Sequence, residues 1–271
     1  MRGKVKESSR HVEAVLRALD ILECFQVGPL LSLKKISDMT GLNKSRIIRL
    51  CGTLVAKGYL GYDSEAQHYK LGNRILPLSK AYEHSNNLIS LSRPVLRNLA
   101  DQTGESASLF VVDGLQRVCL AREEGTFSIR YNILEGQRMV LYAGAGGKVL
   151  LAFGPEELRR KALARDHLRK LTTTTIQDPK RLEKELEAVR RQGYASSYGE
   201  RDSEVAALAA PIYSHDGKVC AALTIAGPIT RFSKEHNVKH LKILQASAER
   251  LSRILGYEGK NPSIVNAAQK G

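Results

Sequence analysis

The sequence predicts an α+β protein in two folded parts, a small helical unit closed by a hairpin and a larger domain built on a mainly antiparallel sheet. Three observations point there. Apolar residues recur with helical spacing as far as Lys57 and then switch to period two. In the second part the turn dipeptides Asp113-Gly114, Glu135-Gly136 and Asp216-Gly217 separate segments of strand character. The 271 residues, 42% of them hydrophobic, are enough for more than one core.

The elements follow in order. Val12, Val15, Leu16, Leu19, Leu22 and Phe25 trace one face of a helix that Gly28-Pro29 ends. Ser32 caps a short helix with Leu33, Ile36 and Met39 inward, and Gly41 stops it. Asn43 caps a third helix, Lys44 to Lys57, with the stripe Ile47, Leu50, Cys51, Leu54 and Val55 and the stop residue Gly58. Tyr59–Tyr62 and His68–Leu71 then alternate around a polar turn. Helix, short helix, turn, helix and hairpin is the order of a winged helix-turn-helix, assigned to residues 11–72 after a flexible start at 1–10. A connecting helix is expected over 73–87, and the mixed domain over 88–256 before a flexible tail at 257–271. Within that domain, helices are expected over Leu88–Gly104, Gly147–Phe153, Glu156–Ala164, Asp178–Arg191 and Ser233–Leu255. Strands are expected at Ser108–Val112, Arg117–Ala121, Ser128–Ile133, Met139–Tyr142, Ala195–Tyr198, Ala206–Tyr213 and Val219–Ala226. Thr172 to Thr175 reads as a short, β-compatible polar run.

Charge narrows the function. With 42 Lys+Arg against 28 Asp+Glu, the net charge of +14 suits a polyanionic partner. Residues 1–72 hold twelve basic and seven acidic residues, so about two thirds of the excess lies elsewhere, but Lys34 to Lys57 contains six basic residues and a single acid, Asp38. No apolar run is long enough to span a bilayer and the start of the chain lacks a signal-peptide core, so a cytoplasmic protein without a membrane partner is expected. Cys24, Cys51, Cys119 and Cys220 are scattered without C-x-x-C spacing, which indicates neither zinc nor disulfides. His236 and His240 lie four apart without a third ligand, so no metal and no cofactor are expected.

On the third helix, positions 44, 45, 48, 49 and 52 share the face opposite Ile47, Leu50 and Leu54. Lys44, Arg46 and Arg49 can reach phosphates or guanine edges, Ser45 can bond a phosphate, and Gly52 leaves room for a duplex. Ile48, apolar amid basic residues, suits a thymine methyl group. Ser32, Thr40, Asn43 and Lys57 complete the helical set, and His68 and Lys70 place the hairpin near phosphates or the minor groove. Tyr62 and Tyr69 are expected to pack the hairpin itself.

The run Leu33-x-x-Ile36-Ser37-x-x-Thr40-Gly41-Leu42-Asn43-Lys44-Ser45-x-x-x-Arg49-Leu50-x-x-x-Leu54, followed by Gly58-Tyr59, resembles the DNA-binding domain of the IclR family of bacterial transcriptional regulators. Ala143-Gly144-Ala145-Gly146-Gly147-Lys148-Val149-Leu150-Leu151-Ala152, Gly193-Tyr194-Ala195 and Ala209-Ala210-Pro211-Ile212 are similar to that family's second domain, in the same order. The resemblance covers roughly Val12 to Gly256. It implies a GAF-like effector-binding domain and dimers or dimers of dimers on palindromic or near-palindromic double-stranded operator DNA. It also implies control of a catabolic or metabolic operon by a small molecule, more commonly as a repressor than as an activator.

A glycine-rich loop opening a helix, Gly144 to Gly147, offers backbone N–H groups to a carboxylate or phosphate, or serves only tight packing. It does not match a Walker loop, since Lys148 is followed by Val149. The resemblance implies an effector site at Gly144, Ala145, Gly146, Ser197, Tyr198, Glu200, Ala207, Thr224 and Ala226. Ala207 and Ala226 stand where the family often has small polar residues, and Tyr198 where an acid is frequent, which suggests a larger or more apolar effector, aromatic or cyclic. Two other classes fit the sequence less well. An enzyme using Cys119 or Cys220 lacks a base placed by spacing, and a structural nucleoid protein would spread its basic residues and need no pocket.

Overall fold

A computed structural model describes residues 11–85 and 87–259, in two compact units that divide between Ser85 and Asn86. The expected loose ends fall outside these residues, apart from Tyr257 to Gly259.

In the first unit, α1 spans Glu13–Glu23 and runs into a 3-10 turn at Cys24–Val27, so the helix is α-helical for a turn less than its apolar spacing suggested. The strand β1 is only Leu31–Ser32. Helix α2, Leu33–Thr40, starts on Ser32, whose hydroxyl accepts from the Lys35 amide, and ends at Gly41 in the left-handed region (φ +68°). Helix α3, Lys44–Ala56, starts on Asn43, whose side chain accepts from the Arg46 amide. The hairpin strands are β2, Leu60–Asp63, and β3, His68–Leu71. The sheet has the order β1-β3-β2, with Leu31 opposite Tyr69 and Tyr62 opposite Tyr69 on the other side. The strand β1 was not expected, because two residues carry no visible alternation. Ile21, Phe25, Leu31, Ile36, Ile47, Cys51, Leu60 and Tyr69 form one core. Helix α4 follows at Ile75–Ser85.

The second unit begins with α5, Asn87–Thr103, followed by β4, Ser106–Asp113, and β5, Gln116–Glu123. Next come β6, Arg138–Val140, α6, Ala145–Phe153, α7, Glu156–Ala162, and α8, Pro179–Gln192. The chain closes with β7, Ala195–Tyr198, β8, Val205–Tyr213, β9, Val219–Pro228, and α9, Lys234–Ile254. The six strands make one antiparallel sheet in the order β6-β5-β4-β9-β8-β7. Period-two alternation sorts the sheet into two cores. Leu208, Ile212, Leu223 and Ile225 join Leu96 and Leu99 of α5 and Leu244 and Leu251 of α9 on one face. Ala209, Ala222 and Cys119 join Val149 and Leu151 of α6 and Leu182 and Leu186 of α8 on the other.

The strand expected at Ser128–Ile133 does not form. Side chains occupy the places a ladder would take. The Glu135 carboxylate accepts from the Arg122 amide at 2.8 Å, and Arg122 and Arg231 donate to the carbonyls of Tyr131 and Ile129 at 3.1 and 2.9 Å. Beyond that point β5 is already paired with β6, Arg117 lying opposite Met139.

Candidate nucleic-acid interface and ligand cavity

In the first unit the local signals of α2 and α3 fix an exposed basic face. Between the helices, the Thr40 hydroxyl donates to the Ile36 carbonyl at 2.8 Å and accepts from the Leu42 amide at 3.3 Å, while Ser37 donates to the Leu42 carbonyl at 2.7 Å. Thr40 is therefore engaged in shaping the turn. Asn43 Oδ1 accepts from both the Ser45 hydroxyl and the Arg46 amide at 2.9 Å.

Along α3, Ile47 and Cys51 are buried, whereas Lys44, Ser45, Ile48, Arg49 and Gly52 are all exposed. Ile48 is 51% exposed and nothing in the core claims it. A Cβ placed on Gly52 would meet no heavy atom within 4 Å, so no neighbour within the protein requires a glycine there. Ser32, Lys34, Lys44, Ile48, Tyr62 and His68 line one groove between the start of α2, α3 and the hairpin. Arg46 is not part of it: its guanidinium pairs with Glu13 of α1 at 3.1 Å. Lys57 caps the opposite end of α3 from Asn43, about 20 Å along the helix axis. Lys70 lies exposed on β3 across from Gly61, where a Cβ would come within 3.3 Å of its Cε. Tyr62 and Tyr69 pack against each other in a tilted arrangement, 4.8 Å between ring centroids at an interplanar angle of 44°, across the hairpin. At its tip Asp63 accepts from the amides of Glu65 and Ala66 at 3.0 Å, and these bonds hold its carboxyl below the usual carboxylate range.

In the second unit the sheet register assembles a cavity. Ser197 lies opposite Ala207, Ala207 opposite Ala226, and Thr224 opposite Ser108. With the start of α6 these residues wall a void of about 490 Å³, open mouth included. Gly144, Ala145, Gly146, Ser197, Ala207, Thr224 and Ala226 line it. Tyr198 and Glu200 do not. The Tyr198 ring is 40% exposed and its hydroxyl accepts from Asn237 of α9 at 2.5 Å, so it adds no ring to the cavity. Glu200 stands behind the loop: Oε2 accepts from the Gly144 amide at 2.9 Å and Oε1 from Lys148 at 2.6 Å.

Arg117, Arg201, Phe110, Tyr131 and Met139 also line the cavity, and no local sequence signal marks them. Alternation along β5 alone would have put Arg117 on the same face as Cys119, but a basic residue beside a hairpin reads as exposed. Arg117 stacks on Phe110 at 5.0 Å and Arg201 on Tyr131 at 5.3 Å. The turn carrying Arg201 is latched by the threonine run Thr172 to Thr175. Thr172, Thr174 and Thr175 donate to the carbonyls of Gly199, Tyr198 and Glu200 at 2.6, 3.2 and 2.7 Å.

The cysteines are protected thiols. Burial pushes Cys119 up to about 12 and Cys51 up to about 11, so a nucleophilic thiolate is disfavoured at both.

Comparison with known proteins agrees with both units. The model described as the IclR helix-turn-helix domain matches residues 14–64, and that of the bacterial transcriptional regulator IclR C-terminal matches residues 80–253. The chain is 29% identical over 245 residues to the HTH-type transcriptional regulator KipR of Bacillus subtilis, covering 90% of this chain and 98% of that protein. It is 33% identical over 232 residues to the HTH-type transcriptional regulator BhcR of Paracoccus denitrificans, covering 85% and 83%. The crystal structure of the Thermotoga maritima IclR superposes with a TM-score of 0.75 at 28% identity, covering 91% of this chain and all of the other. With a capped recognition helix and hairpin in one unit and the glycine-loop cavity in the other, the chain belongs to the IclR family of transcriptional regulators.

Proposed function

We propose that the protein is a ligand-responsive, sequence-specific repressor of a catabolic or metabolic operon, acting in the cytoplasm as a homo-oligomer on palindromic or near-palindromic operator DNA. The exposed Ile48 between Lys44 and Arg49 carries the reading. An isoleucine held in water on a basic helix face is unfavourable unless a partner covers it, and a thymine methyl group in the major groove does so. In this reading Lys44, Ser45, Ile48 and Arg49 meet base edges and nearby phosphates, while Ser32, Asn43, Lys57, His68 and Lys70 hold the backbone. Arg46 contributes charge from its pair with Glu13, and Thr40 sets the turn.

The effector is a small organic molecule bearing a carboxylate, received in the cavity at the start of α6, where first-turn amides and the helix dipole favour an anion. Self-association is supported by the apolar face that α1 leaves exposed at Val12, Val15, Leu16 and Leu19. Repression is the sign that the resemblance favours. The protein is read as a regulator without catalytic activity of its own.

A reporter driven by the promoter region beside the protein's own gene tests this reading. Expression should rise when the gene is deleted and fall when it is restored. Loss of expression on deletion would instead make the protein an activator.

A further inference from the structure

Arg117 is a buried cation without a counter-ion. It is 5% exposed, and its guanidinium lies against the glycine loop so closely that a Cβ on Gly144 would come within 2.8 Å of Nη2 and one on Gly147 within 2.9 Å of Nη1. Among the described residues no carboxylate lies within ion-pair distance of it, its Nε has no acceptor, and its hydrogen bond to the Gly144 carbonyl is long at 3.4 Å. The nearby carboxylate of Glu200 has both oxygens committed, to Lys148 and to the Gly144 amide. Glu185, the other acid on Lys148, is 40% exposed and reaches that lysine at 3.0 Å. Burial, reinforced by the Arg201 charge, pulls Arg117 down to about 9, and it remains a cation at neutral pH.

A second buried group points the same way. Among the described residues Thr224 Oγ1 has no hydrogen-bond partner, though the residue is only 4% exposed and lines the cavity. It lies beside the same loop, since a Cβ on Gly146 would come within 2.9 Å of Thr224 Oγ1 and 3.6 Å of Arg117 Nη1. Around the N-terminus of the nine-residue α6, an Arg117 held only by its long bond to Gly144 and by the Phe110 ring, beside a Thr224 hydroxyl left unsatisfied, is costly, because both have given up more hydration than the described residues return.

We infer that Arg117 and Thr224 form the anchor for the effector's carboxylate, with the first-turn amides of α6 completing it, and that the effector's body is flat, uncharged and apolar. Phe110, Tyr131, Ile133, Met139, Ala207 and Ala226 give the rest of the cavity a largely apolar wall that suits such a body, with Ser108, Ser197, Arg201 and Asp202 also on its lining. A guanidinium fork pairs with a planar carboxylate, and a neutral amide in its place would put an N–H donor against Arg117. Acid is therefore preferred over amide. The inference rests on the reading of this cavity as the effector site.

Thermal unfolding of the full chain tests it, with benzoate, phenylacetate and cyclohexanecarboxylate each compared with its own amide, and with phenyl phosphate alongside. The acids should raise the Tm and the amides should not. Arg117→Met, which fills the space without the charge, should leave the unliganded protein at least as stable while weakening the acids by about 10- to 100-fold. Thr224→Val should weaken them by about 2- to 10-fold. Arg117→Lys, which keeps the charge and loses the fork, should retain a preference for acid over amide. Equal protection by acids and amides, stronger protection by phenyl phosphate, or an Arg117→Met protein markedly less stable than wild type would overturn the anchor and leave the effector cavity standing. No protection by any acid would overturn both.

Discussion

Glu200 joins Lys148 to the loop that opens α6: one oxygen accepts from the Lys148 ammonium at 2.6 Å and the other from the Gly144 amide at 2.9 Å. Lys148 is only 1% exposed, so this ion pair sits inside the core between α6 and the turn after β7. Removing one partner strands a buried charge, which typically costs about 3–5 kcal/mol, whereas removing both costs far less. Lys148→Met, which strands the Glu200 carboxylate, should be strongly destabilising in urea unfolding; Glu200→Leu should cost less, because Glu185 remains on Lys148 at 3.0 Å, and the double variant should recover much of the Lys148→Met loss. Simple additivity of the two losses would contradict this account of the pair.

Ile48→Ala should change which sequences the protein selects from a random duplex pool, relaxing the preference at a thymine position, while stability changes by no more than about 0.5 kcal/mol because the side chain is half exposed. An unchanged preference would remove Ile48 from sequence readout.

Gly52 sets stability against binding. A glycine inside a helix costs about 1 kcal/mol relative to alanine, and here a methyl group would meet nothing within the protein. Gly52→Ala should therefore raise stability by about 1 kcal/mol and weaken operator binding by crowding the duplex. Tighter or unchanged binding in a fluorescence anisotropy titration would show that the duplex does not approach this position.

The buried thiols give a pH dependence with a definite sign. Cys119 and Cys51 titrate at about 12 and about 11 when folded, above the value near 9 of a free thiol, so folding favours the protonated form. Their contribution to stability is complete below pH 9 and is lost as the pH rises from there towards 12, because the unfolded chain releases these protons first. At neutral pH neither thiol should react with iodoacetamide until the protein unfolds. Rapid alkylation of the native protein, located by peptide mass mapping, would contradict their burial.

How much of this was legible in the chain depended on how local each cause is. Ser32, Gly41, Asn43 and Gly58 act on their own neighbours through caps and left-handed φ, so α2 and α3 could be placed almost to the residue. The exposed face of α3 followed from helical periodicity alone. The cavity was visible only in part. Its glycine loop and small strand residues have a sequence signature, but Arg117 and Arg201 arrive by long-range pairing, and nothing local distinguishes a buried arginine from an exposed one. The same is true of Thr172, Thr174 and Thr175, whose acceptors lie 24 to 27 residues away. The absent strand at Ser128–Ile133 has a similar origin, because the groups that replace its ladder belong to Arg122, Glu135 and Arg231.

Footprinting of the full chain on the promoter region beside its gene, at rising salt, tests sequence-specific DNA binding most directly. Counterion release weakens every basic protein on DNA as salt rises, but base contacts add a discrimination that non-specific coating lacks. A bounded footprint over a palindromic or near-palindromic sequence, persisting after protection of the flanking DNA is lost, is the predicted result. Uniform protection that disappears everywhere at the same salt concentration would contradict it.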